Sequence, residues 1–211
     1  MIQPPIAVRL VRGKTRCHPY ITDLQTFYAV TSKAIEHELD IINIGQSHMV
    51  LACRAVGADV ALPLDGYVEA ALSGQAPEEI IVRVEEKAPE PDGIGAPGME
   101  SISTRIVAAA FSLFVETCLE WLRHNYKKQT ADWPPASNFA RVVRNAIVHG
   151  GRININSPTA SGASWRHLHY DHRDNGREIL HQGDLSLGDL VILMMEVESE
   201  LNDLGAPFDL G

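Results

Sequence analysis

The stretch STRIVAAAFSLFVETCLEWLRHNYKK, starting at Ser103, constrains the fold more than any other. Between Ile106 and Trp121 only Ser112, Glu116, Thr117 and Glu120 interrupt its apolar surface. A helix that is apolar nearly all round has no face for water, so neighbouring helices or a second subunit must cover it. The rest of the chain is therefore expected to wrap around a central helix. Polar side chains break every apolar run before it reaches the roughly 18 residues of a bilayer crossing, so no membrane span is expected.

The other segments read mostly as helices. IAVRLVRG at residues 6–13 is β-like. A long helix is expected from about Thr22, with Leu24, Phe27, Tyr28, Ala34, Ile35, Leu39 and Ile42 at helical spacing, continuing past Gly45 into SHMVLACRAVG. LDGYVEAAL reads as a short helix, and IIVRV has the β-branched density of a strand. Residues 88–99, APEPDGIGAPGM, read as a long loop inside one domain spanning 1–211. After the turn DWPPAS, FARVVRNAIVHGG gives a helix with Phe139, Val142, Val143, Ala146 and Ile147 on one face, ending at Gly150 and Gly151. GRINI and ASWRHLHY are expected as two short strands joined by NSPTASG. LSLGDLVILMMEVESEL is expected as a last helix opened by a Ser186–Asp189 capping box. The expected fold class is mainly α, a helical bundle carrying a small β-hairpin before its last helix.

A net charge of −9 disfavours a broad, non-specific nucleic-acid binder. Within that acidic chain, Arg123, Lys127, Lys128, Arg141, Arg144 and Arg152 fall inside thirty residues, which suggests a local basic site. Cys17, Cys53 and Cys118 are odd in number and form no CxxC pair, so buried reduced thiols and a cytoplasmic location are expected. The N-terminus lacks the apolar run and cleavage site of a secretory signal.

Two motifs carry candidate chemistry. HLHYDH at 167–172 matches a zinc-ligand pattern, and His167, His169 and His172 would be its ligands. The polar segment before it and the shortage of later ligands argue against a metal, and no cofactor is expected. Ser157, Ser161 and Ser164 lie outside any GxSxG elbow and read as loop residues. The second motif is RNAIVH, in which Arg144, Asn145 and His149 sit in the last turns of a helix. A histidine titrating near neutrality can take a proton from a ribose 2′-hydroxyl. A guanidinium can hold the attacked phosphate, and no metal is needed. The same residues allow a structural role: Arg144 paired with Glu116 or Glu120, and His149 capping the last carbonyls.

The run RVVRNAIVHGGRIN, then SWRHLHYDHRDNGREI, then DLSLGDLVILMMEVESEL, resembles stand-alone bacterial proteins of the HEPN superfamily over about 139–204. The resemblance implies a metal-independent endoribonuclease with Arg144, Asn145 and His149 as catalytic residues and Arg141 and Arg152 binding substrate. It also implies RNA as substrate, a homodimer with the site at its interface, and toxin–antitoxin or defence roles with an antitoxin protein as further partner. A catalytically silent dimerisation or nucleotide-binding module is the alternative, and a zinc hydrolase a more distant one. Gly151 stands where some HEPN toxins carry Tyr. At 100° per residue Arg144 and His149 diverge by about 140°, with Val148 between them. Two copies packed across a two-fold axis could bring both groups to one phosphate.

Overall fold

The computed structural model describes residues 6–39, 48–64, 73, 76–86, 99–126, 129–180 and 183–210. In chain order they form β1 (Ile6–Val11), α1 (His18–Leu39), β2 (His48–Ala52), β3 (Ala58–Pro63), β4 (Glu79–Glu86), α2 (Met99–Trp121), α3 (Pro135–Val148), β5 (Ala163–Trp165), β6 (Leu168–Tyr170) and α4 (Leu187–Asp203). The expected helix LDGYVEAAL and the loop at 88–99 fall, but for Leu64 and Met99, outside the described residues.

The expectation of a mainly α bundle is wrong. Strands β1-β4-β3-β2 form a four-stranded antiparallel sheet, so the architecture is α+β. The error lies in SHMVLACRAVG, read above as more helix. Within it Met49 and Leu51 are buried and Val50 is exposed, a period of two rather than 3.6. Short apolar runs are ambiguous on their own, and long-range pairing decides them. Here Met49 pairs with Leu62 and Leu51 with Val60, and the Cys53 N–H closes the hairpin on the Ala58 carbonyl at 2.9 Å. β3 is buried on both faces at Asp59–Leu62, which hides the alternation a half-exposed strand would show.

The central helix is where its sequence puts it. Val107, Phe111, Phe114, Val115, Cys118, Leu119 and Leu122 are at most 1% exposed, and α2 packs on α1, α3 and α4. By length and composition the stretch Ile102–Tyr126 could cross a membrane, but half of it is buried against these neighbours. One side stays open: Ile102 is 47% and Leu113 63% exposed.

Helix α4 joins the two halves, touching α2 and α3 on one side and β2 and β3 on the other. Its buried Asp189 accepts backbone N–H bonds from Arg54 (2.8 Å), Ala55 (3.2 Å) and Val56 (3.1 Å) in the β2–β3 turn, and from Ser186 (2.9 Å) in the expected capping box. Gly188 permits the approach, because a Cβ there would stand 2.5 Å from both the Leu51 carbonyl and Cys53 Sγ. The chain's two ends meet at Arg16, whose guanidinium donates to Glu198 Oε1 (2.7 Å), Asn202 (2.8 Å) and the Pro207 carbonyl (2.9 Å).

Candidate active site at the end of helix α3

Helix α3 starts on Pro135, a residue pre-set for the first helical position. Its first free N–H groups, those of Ala136 and Ser137, are each bound by the Glu200 carboxylate at 2.8 Å. Phe139, Ala140, Val142, Val143 and Ala146 then face the core. Termination follows the glycines: Gly150 (φ 74°) and Gly151 (φ 81°) take left-handed conformations, and the Gly151 N–H returns to the Ala146 carbonyl at 2.9 Å.

The GRINI segment after the glycines does not pair with ASWRHLHY as expected. It bonds instead to residues 175–179, with Ile153 N–H on the Arg177 carbonyl (2.9 Å) and a bridge between Arg152 and Glu178. ASWRHLHY folds on itself as the β5–β6 hairpin, with Trp165 opposite Leu168. A two-residue turn at Arg166–His167 lets Trp165 and Tyr170 bury against Phe139, which a long NSPTASG loop would not.

The five residues expected to serve an RNA site fall in four places. Arg144 lies in the α2–α3 seam with Nη2 2.9 Å from Glu116 Oε2, though without hydrogen-bond geometry at that oxygen, and its Nε is buried without a hydrogen-bond partner among the described residues. Arg123 reaches the other oxygen of Glu116 at 3.3 Å. Arg141 stands close enough to Arg123 that burial first, and that neighbouring charge second, lower its pKa. Its Nε and Nη2 both donate to Asn138 Oδ1, at 3.1 and 3.0 Å. Arg123 and Arg144 thus share the Glu116 carboxylate, and Arg141 lies beside Arg123 in the same seam. Since Arg144 neighbours Glu116 and Arg141 neighbours Arg123, α2 and α3 run antiparallel there.

Asn145 faces the other way and donates to the Asn154 carbonyl at 3.0 Å, fixing the helix end to the GRINI segment. His149 is the C-cap residue; its backbone N–H bonds Ala146 (3.0 Å), while its ring is exposed and makes no hydrogen bond to the described residues. Val148 beside it is 53% exposed. Arg152 lies away from the seam, held by the Gly176 carbonyl (3.0 Å) and Glu178 (3.3 Å). The structure therefore brings Arg141 and Arg144 together with Arg123, and sets His149 and Arg152 apart from them within one chain.

The histidine-rich motif is not gathered for a metal. His169 and His172 approach Asp171 at 3.7 and 4.0 Å, and among the described residues no three His, Cys, Asp or Glu side chains are arranged to hold an ion. Cys17, Cys53 and Cys118 are buried free thiols, each with its pKa raised chiefly by burial. The roles of Glu200 and of the Ser164–His169 contact escaped the sequence reading. The second was within reach, because a two-residue turn at Arg166–His167 sets Ser164 opposite His169. No protein-family model, no curated protein and no solved structure gives a significant match to this chain.

Proposed function

We propose that this protein is a metal-independent endoribonuclease of the HEPN kind, working as a homodimer whose site forms where two α3 C-termini meet. The observations that carry the reading are a cationic seam along α3 and, apart from it at the exposed end of the same helix, an imidazole without a hydrogen-bond partner among the described residues. Arg123, Arg141 and Arg144 exceed the single carboxylate of Glu116 by two charges, counted over those four side chains. A phosphate is the anion such an excess would attract. Among the described residues Arg144 is held by the Glu116 ion pair and by no hydrogen bond, so exchanging Glu116 for a phosphate breaks no hydrogen-bond network there. His149 is open to solvent and able to receive a proton. Val148, and Leu113 one antiparallel turn away on α2, supply exposed apolar surface for a second copy. Across that contact the histidine of one chain can reach the arginines of the other.

The ion pair between Arg144 and Glu116 favours a second reading, a silent dimerisation module of the same architecture in which Arg144 only fastens α3 to α2. Cleavage of RNA by purified protein in excess EDTA separates the two. The first reading expects cleavage that His149→Ala and Arg144→Ala each abolish. Inert wild-type protein favours the second, and cleavage surviving in both variants removes the site assignment.

A further inference from the structure

A second constellation lies on the β5–β6 hairpin, apart from the α2–α3 seam. Ser164 Oγ is 2.7 Å from His169 Nδ1, and His169 Nε2 is 3.7 Å from Asp171 Oδ2. The imidazole is 54% exposed yet positioned from three sides, since Gly162 lies so close beneath it that a Cβ there would stand 3.1–3.2 Å from the ring. Asp171 is itself anchored: Arg173 donates to it from Nη2 at 2.6 Å and from its backbone N–H at 2.8 Å. Those donors hold its carboxyl well below the usual range, so it stays an anion. With the ring proton on Nε2, facing that anion, Nδ1 is free to accept from Ser164. Nucleophile and base are thus within hydrogen-bond reach, with the carboxylate just beyond that distance on the ring's other nitrogen.

Ser164 also borders a cavity of about 430 Å³ at the start of α3, lined by Pro135, Ala136, Trp165, Arg166 and Ser199 among others. A two-residue turn makes Trp165 and Leu168 the hydrogen-bonded pair, so Ser164 and His169 form the non-bonded pair that follows. The Ser164 N–H therefore points away from β6. Gly162, on the same edge, gives its carbonyl to Asn138 of α3 at 3.2 Å, so this edge faces the helix and the cavity. Arg166, at the cavity rim, holds the left-handed conformation (φ 55°) that the first position of a two-residue hairpin turn requires.

We propose that Ser164, His169 and Asp171 form a hydrolytic site that cleaves a small carboxylic ester seated in this cavity. Ser164 Oγ bonds to the acyl carbon as its proton passes to His169 Nδ1. The Ser164 N–H faces the oxygen that becomes negative. Collapse of the tetrahedral adduct breaks the bond to the alkoxide, which leaves with the proton from Nδ1. Water then attacks the acyl-serine by the same proton route, releasing the carboxylic acid and restoring Ser164. Asp171 is a positioning residue, keeping the ring proton on Nε2.

The test uses the full chain with diisopropyl fluorophosphate and with p-nitrophenyl acetate. Peptide mapping is expected to place the phosphoryl adduct on Ser164. Ser164→Ala removes it and lowers kcat/KM for the ester by about a hundredfold or more. His169→Gln slows adduct formation to a similar degree, and Asp171→Asn lowers kcat while leaving KM in place. No adduct on Ser164 in the wild type overturns the proposal, as does labelling of His169→Gln at the wild-type rate.

Discussion

Replacing Asp189 by Asn keeps the size of the side chain and removes its charge, which isolates the electrostatic joint between sheet and helices. Oδ2 receives the N–H groups of Arg54, Ala55 and Ser186 and the Ser186 hydroxyl, and Oδ1 receives the Val56 N–H. An asparagine offers one oxygen, which would keep the larger group. Its amide nitrogen then faces the Val56 N–H, donor against donor, and leaves a buried group unpaired at about 1–3 kcal/mol. The four remaining bonds, three from backbone N–H groups and one from the Ser186 hydroxyl, fall from charge-assisted to neutral, about 1 kcal/mol each. Relief from burying a carboxylate offsets part of this. The net loss is about 3 kcal/mol, against a total stability on the order of 10 kcal/mol. Urea unfolding should show a lower midpoint with the same m value, and the thermal midpoint should fall by about 6–12 °C. Amide exchange should quicken first at Arg54–Val56. A loss below about 0.5 kcal/mol would refute the view that this carboxylate fastens the β2–β3 turn to α4.

Two further predictions rest on other parts of the structure. His18 is buried, and burial, outweighing an opposing contact with the Pro77 backbone, lowers its pKa. Below the unfolded value of about 6.5 the unfolded chain binds a proton that the folded one refuses, so stability should fall as pH drops through that value. His18→Gln should flatten the slope in that window; an unchanged slope would assign it to other groups. The proposed homodimer requires that Val148→Asp run as a monomer in sedimentation at micromolar concentration and lose the proposed RNA cleavage. A wild-type monomer under the same conditions would remove the shared site.

What the sequence disclosed depended on how local each signal was. The ends of α3 and α4 were legible because Gly150, Gly151, Ser186 and Asp189 act within a turn of their own helices. The apolar girth of α2 announced a central helix for the same reason. The sheet was hidden because its decisive partners are distant: β1 pairs with β4 across roughly seventy residues, and β3 is buried on both faces. At the candidate site, the motif gave Arg144, Asn145 and His149, and the Glu116 contact was foreseen as one of two alternatives. That Asn145 binds the Asn154 carbonyl, and that Arg152 turns away toward Glu178, depends on a path after the glycines that no local pattern encodes.

The measurement closest to the central claim is the chemistry of the cut ends. If a 2′-hydroxyl is the nucleophile and His149 its base, RNA treated in EDTA must yield 2′,3′-cyclic phosphate and 5′-hydroxyl termini, and an all-2′-deoxy strand of the same sequence must stay intact. His149→Ala should yield neither terminus. Termini bearing 5′-phosphate and 3′-hydroxyl, or cleavage of the deoxy strand, would contradict the account.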